Sequence, residues 1–276
     1  MKLPSVIKRF VTRPPKVAVI RLHGVIGSAG RFSRGLSDQS LAPVIERAFA
    51  SGPVAVALSI NSPGGSPVQS SLIAGRIRRL ADQNNVPVVA FVEDAAASGG
   101  YWLACAADEI YGDPASIVGS IGVIHASFGL QDLIARHGVQ RRVHATGDNK
   151  AFLDPFQPED PAQVNRLYDL LAQLQGVFTD HVRTRRGARL DEAHEPLFDG
   201  RVWTAARAAE LGIIDGIAAM RPELERRFGK DLSIREYAPR KGLLSRFGGG
   251  GTAGAALAAG MIDAAEERVM WSRFGL

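Results

Sequence analysis

Three glycine-rich turns, each at the end of an apolar run, hold the residues best suited to acyl chemistry. The middle one is Ala97-Ser98-Gly99-Gly100. It follows residues 88–92, an apolar run bounded by Pro87 that reads as a short buried strand, and precedes an amphipathic stretch that begins a helix. Ser98 thus stands in a small-residue turn, residues 95–100, where a strand hands over to a helix. A hydroxyl in that place faces a cleft, and the free N–H groups of a helix N-terminus meet developing negative charge. Gly99 and Gly100 let other backbone approach closely. The same residues also suit a turn that merely packs a helix on a sheet, and Ser98 alone does not separate the two. Asn61-Ser62-Pro63-Gly64-Gly65 ends another apolar run and is built to present backbone N–H groups, and Gly119-Ser120-Ile121-Gly122-Val123 is a third tight turn.

The elements that must position these turns follow from periodicity. Strands are expected at residues 17–22, 54–60, 88–92, 109–111, 117–124 and 140–144. Helices are expected at 40–50, with Leu41, Val44, Ile45, Ala48 and Phe49 on one face, and at 67–80, with Pro67 in the first turn. Further helices are expected at 130–137, 201–212 and 221–228, and the longest at 159–186, with Val164, Leu167, Leu171, Leu174 and Phe178 on one face. Residues 27–38 and 145–158 read as loops, the first of them mobile. Strands alternating with helices predict an α/β fold whose strands are buried on both faces. The organisation expected is a basic arm at 1–16, one domain at 17–240, and a tail at 241–276 in which Gly248–Gly251 links to a helix over 253–274.

Composition excludes several classes of function. The 276 residues are 46% hydrophobic and 22% charged, as in an ordinary soluble globular protein. The net charge of +5 is modest, and Arg183, Arg185, Arg186 and Arg189 have no interleaved aromatics, so they read as a solvated helix end, not a nucleic-acid surface. One cysteine, Cys105, allows neither an intrachain disulfide nor a thiolate cluster and reads as a buried thiol. The histidines show no metal-ligand spacing, so no metal and no cofactor is expected. No apolar stretch is long enough to span a bilayer, and MKLPSVIKRFVTRPPK lacks the apolar core of a secretory signal. Its Val6, Ile7, Phe10 and Val11 among cations suit peripheral contact with an anionic membrane. The expected location is cytoplasmic or peripheral to the inner membrane.

Taken in order, the three turns resemble the signal peptide peptidase A family of bacterial serine proteases, the S49 peptidases, within the ClpP/crotonase superfamily. The resemblance runs from about Val17 to about Tyr237 and takes in Phe198-Asp199-Gly200-Arg201-Val202-Trp203-Thr204 and Ala208–Asp215 (AAELGIID). It implies a spiral of ββα units and a serine–lysine dyad. Ser98 matches the family's nucleophile. Lys150, in Thr146-Gly147-Asp148-Asn149-Lys150 followed by Asp154-Pro155-Phe156, matches its general base. Such a lysine must be neutral, so burial or a nearby cation has to depress an ordinary pKa of ~10.4 by several units. The resemblance further implies an oxyanion hole from Gly64, Gly65 and Gly99, and a hydrogen bond from Ser120 to the lysine. The chain departs from the family's pattern in Thr146 for serine, in Ala151 for an acidic residue, and in lacking an N-terminal anchor. As the short, single-copy form it implies a homo-oligomer with the dyad shared between subunits, acting on short, unfolded or hydrophobic peptides such as remnant signal peptides.

Other readings use the same residues. His125 lies 27 residues after Ser98, near the serine-to-histidine spacing of the ClpP branch, with Asp169, Asp180 or Asp191 to orient it. Crotonase-type acyl-CoA chemistry shares the fold but needs no serine nucleophile. A membrane-associated scaffold without turnover, and a phage capsid-maturation protease, complete the set.

Overall fold

Three apolar strands form the centre of the sheet: β1 (Lys16–His23), β2 (Ala55–Ser62) and β3 (Val88–Ala97). They run parallel, with Ile20 beside Leu58 and Leu58 beside Ala90. Their near-continuous hydrophobicity follows from burial on both faces. On one face Ile20, Leu22, Leu58, Ile60 and Val92 pack in the main core with α1 (Asp38–Ala50) and α2 (Pro67–Asn84). On the other, Val17, Val19, Ala55, Ala57, Val89 and Phe91 meet Leu224 of α7 (Met220–Phe228). The computed structural model describes residues 14–27, 35–147, 149–238 and 268–275.

The remaining strands are β4 (Glu109–Gly112), β5 (Ile117–Gly119), β6 (Val202–Thr204), β7 (Gly216–Ile217) and β8 (Ser233–Tyr237). The main path through the sheet is β6-β5-β3-β2-β1-β8, with only the β5–β6 pair antiparallel. The branch point is β3. Residues 89–92 pair with β4, which continues to β7, whereas residues 95–97 pair with β5. That change of partner along one strand turns the sheet into the spiral expected of the ClpP/crotonase superfamily, an α/β fold.

Helix ends follow ordinary capping chemistry. Ser37 caps α1 in a reciprocal box with Ser40, and Ser66 accepts from the Gln69 N–H ahead of Pro67 in α2. Asp160 caps α5 (Pro161–Arg186). The expected apolar face of α5 is present but unevenly covered: Phe178 is buried, while Val164, Leu167, Leu171 and Leu174 are half-buried.

Several expectations need correction. The strand expected at 88–92 continues to Ala97, so residues 95–97 are sheet, not turn. Of 117–124 only Ile117–Gly119 is strand, because Gly119 at φ +112° and Ser120 at φ +51° turn the chain out of the sheet. Residues 140–144 form no strand; they are exposed and have no partner strand. The 201–212 helix is β6 followed by α6 (Ala205–Glu210), with Thr204 as N-cap. Helix α4 (Gln131–Arg136) matches its expected place but buries nothing. The basic arm up to residue 13, residues 28–34, the Gly248–Gly251 linker and most of the tail helix lie outside the described residues; of that tail, 268–272 is helical. Cys105, between α3 (Gly99–Ala104) and β4, is fully buried, and burial pushes its thiol pKa up to about 12.

Buried charge locks the far end of α5 to the sheet. Arg186, 3% exposed, donates to Asp215 at 2.7 Å and to the Gly212 carbonyl at 2.8 Å. The same Asp215 oxygen accepts the Ile110 N–H of β4 at 2.7 Å. Asp215→Ala strands a buried guanidinium, and urea denaturation is expected to show a loss of about 3–5 kcal/mol.

Candidate active site

Strand β3 delivers Ser98 to the end of the sheet in a backbone conformation that non-glycine residues rarely adopt, φ 51° and ψ −120°. Such strain costs ~1–3 kcal/mol and persists only where the surroundings impose it. Here the Ser98 N–H donates to Gly119 O of β5 at 2.8 Å, and the Ser98 carbonyl accepts from Trp102 N in α3 at 3.0 Å. Both neighbours therefore hold the residue at the strand–helix junction. Its side chain caps nothing and faces a cleft of about 420 Å³.

The glycines are required by close approach. A Cβ on Gly64 (φ +106°) would lie 2.8 Å from Ser98 Cβ and 3.0 Å from Gly99 N. One on Gly65 (φ +141°) would lie 1.9 Å from the Ile26 carbonyl oxygen. Ile26 runs alongside this turn, donating to Gly64 O at 2.8 Å and accepting from Ser66 N at 2.7 Å. The Gly64 N–H donates to Ser62 Oγ at 3.2 Å. Among the described residues, the N–H groups of Gly65 and Gly99 have no acceptor, and the Gly99 Cβ position is 3.4 Å from Gly65 N. Two free donors thus sit beside the Ser98 hydroxyl, the arrangement that stabilises an oxyanion. Ser120 lines the same cleft in its own strained conformation, its N–H donating to Arg201 O at 2.7 Å.

The apolar wall of the cleft escaped the motif reading. Trp102 stacks on Phe178 at 4.8 Å and on His181 at 4.9 Å, joining α3 to α5. Leu174 and Val123 extend the wall, and the Trp102 indole N–H is buried without a partner. The available signal was Trp102 four residues beyond Ser98, on the first turn of the helix, opposite the apolar face of the long helix.

Lys150 is elsewhere. It is exposed on its loop, its N–H donating to Gly147 O at 3.0 Å, and it does not line the Ser98 cleft. One chain therefore does not bring Ser98 and Lys150 together. His125 is likewise exposed and outside the cleft; of the three aspartates considered for it, Asp191 is paired with His194. Among the described residues, no group of histidine, cysteine and carboxylate side chains is placed to hold a metal ion. No helix among them is long and apolar enough to cross a membrane.

Comparison with known proteins identifies the family and the fold. Residues 81–226 match the model of a family described as peptidase family S49. A Brucella abortus protein named Na(+)/H(+) antiporter NhaA is 45% identical over 99% of this chain, which spans only 39% of that relative. A putative protease of Synechocystis, slr0021, is 30% identical over 72% of this chain and 69% of its own length. Among solved structures, a mutant of the 1510-N membrane-bound stomatin-specific protease superposes with a TM-score of 0.51 at 17% identity, covering 83% of this chain and all of that one, which supports the fold.

The aromatic wall contains a titratable group. Burial holds the His181 imidazole below its usual 6.5, and Arg185 adds to the shift against the bond to the Trp102 carbonyl. A folded pKa below the unfolded one means stability is complete above pH 6.5 and falls as pH drops toward the folded value. His23, also lowered chiefly by burial, adds a slope of the same sign. Denaturation between pH 7.5 and 5 is expected to show stability falling with acid, and His181→Gln to make that fall shallower.

Proposed function

The chain belongs to peptidase family S49, and on that premise we propose that it is a serine endopeptidase in which Ser98 is the nucleophile and Lys150 of an adjacent copy is the general base. The observation that carries the reading is Ser98 itself, held at positive φ on the tip of β3 beside the unpaired N–H groups of Gly65 and Gly99.

Ser98 Oγ attacks the scissile carbonyl carbon while its proton passes to the Lys150 amine. The carbonyl π pair moves onto oxygen, where the Gly65 and Gly99 N–H groups meet it. Donors of this kind are typically worth ~2.7–4 kcal/mol each. Collapse breaks the C–N bond, and Lys150 gives its proton to the leaving amine. Water, deprotonated by the same lysine, then clears the acyl-enzyme. Gly64 contributes space, since its N–H is engaged by Ser62, and Ser120 hydrogen-bonds the incoming lysine.

A shared site is supported by what surrounds Lys150. Ile124 (66% exposed) and Phe128 (83%) stand uncovered on the segment that carries it. A hollow of about 930 Å³ opens beside Phe128, lined also by Val143, Leu153 and Pro155. Apolar surface of that kind is covered in an oligomer, and docking would desolvate the lysine as a base requires. The apolar wall of Trp102, Phe178 and Leu174 favours short, unfolded or hydrophobic peptides, such as remnant signal peptides, bound extended near the end of β2. The Brucella relative carries its matching region within a longer protein named as an antiporter. That favours work in the cytoplasm or at the inner membrane surface, and the serine–lysine chemistry itself calls for no cofactor and no nucleic-acid partner.

Hydrolysis of a fluorogenic apolar peptide by the full chain tests the mechanism. Ser98→Ala and Lys150→Ala are each expected to lose at least ~10³-fold in kcat, with His125→Ala near wild type. Re-equilibrating the two inactive variants together is expected to restore measurable turnover, because mixed interfaces pair an intact serine with an intact lysine. Loss with His125→Ala and retention with Lys150→Ala would instead favour the ClpP-like pair. No turnover and no fluorophosphonate labelling of Ser98 would favour the scaffold.

A further inference from the structure

The cleft beside Ser98 is walled on one side by residues far away in sequence. Met270, Arg273 and Phe274 line the same cavity as Gly65, Ser98 and Ser120. Residues 268–272 are helical, and the turn closes with Phe274 N donating to Trp271 O at 2.9 Å and Gly275 N to Ser272 O at 3.1 Å. Met270 is on this helix and Phe274 is in the turn that follows it. Burial is one-sided: Met270, Trp271 and Phe274 are half-buried, while Arg268, Val269, Ser272, Arg273 and Gly275 are exposed. One-sided burial of an amphipathic turn is what docking produces, since short helices draw their stability from packing.

We propose that residues 268–275 are an intrachain plug of the peptide-binding cleft, seated by Met270 and Phe274, which must leave before a substrate peptide can bind. This inference rests on the peptidase reading for its kinetic consequence but not for the contact itself. The plug is helical, so its amides are committed to the helix and it does not present an extended strand to Ser98. It is a competitor and not a substrate in this form.

An intrachain segment competes with peptide for the cleft, and the apparent affinity for peptide is reduced by the fraction of chains in which the cleft is free.

The test uses the full chain with Met270→Asp and Phe274→Asp together. Both residues are off the catalytic machinery, and a charge on the buried face ejects the plug. The expected result is a KM about tenfold lower for an apolar peptide with kcat unchanged, and about tenfold faster fluorophosphonate labelling of Ser98. An unchanged KM and labelling rate in an active, folded variant would overturn the proposal. A second measurement is independent of turnover. Phe274 replaced by the photoreactive benzoylphenylalanine, in a mixture of isotopically heavy and light chains, should cross-link within one chain to residues 120–124, Trp102 or residues 174–178. Cross-links only between chains, or none to the cleft, would overturn the proposal. If neither wild type nor variant turns over or labels while the intrachain cross-link forms, the peptidase reading fails and the plug stands.

Discussion

The ends of β2 and β3 lie too close together for any side chain to separate them, and the site depends on that closeness. Gly64 backs directly onto Ser98, and a Cβ on Gly100 would stand 2.6 Å from the Ser62 carbonyl oxygen. Such contact between backbones holds Ser98 at positive φ and brings the Gly65 and Gly99 backbones close together. Strain at Ser98 is offset by the packing around it: β5 on one side, the Ile26 strand segment on the other, and α3 buried throughout behind it. The placement of two donors and a hydroxyl is thus a property of the sheet's edge and needs no ligand to assemble it.

Around this rigid corner the rest of the molecule is graded in burial. The strands and α1 to α3 form a dry core. Helix α5 is shared: its last turns are anchored through Phe178, Val182 and the Arg186–Asp215 pair, whereas its first half carries an apolar stripe only half covered. Between the corner and that helix, the described residues of 124–160 are mostly exposed and none is buried. The segment that carries Lys150 is therefore the least covered part of the fold, and the strand end that carries Ser98 is among the most enclosed.

The cleft itself draws on distant pieces of chain. Its floor comes from the glycine turns and its wall from α3 and α5, while Met270, Arg273 and Phe274 border the same cavity. On the proposal made above, that segment ties access to Ser98 to a distant part of the chain.

Local pattern determined a good deal. The buried strands were legible because both faces of the sheet are covered, so hydrophobicity runs through residues 17–22, 55–60 and 88–92 with only Arg21 and Ser59 interrupting it. The five apolar positions of α1 were legible because a helix buries one stripe, and all five are buried. The three turns were legible because glycine at strand ends marks backbone proximity, and their order led to the family. What local pattern did not determine was pairing. Residues 95–97 look like a turn of small residues, and only β5 lying alongside makes them strand. Residues 140–144 have strand character but pair with no strand among the described residues. Trp102 and Phe178 are 76 residues apart (178 − 102), and only the crossing of α3 and α5 makes them one wall. Tertiary structure likewise decided that Lys150 stands apart from Ser98, because a sequence records which residue types are present and the packing of the chain decides which of them meet.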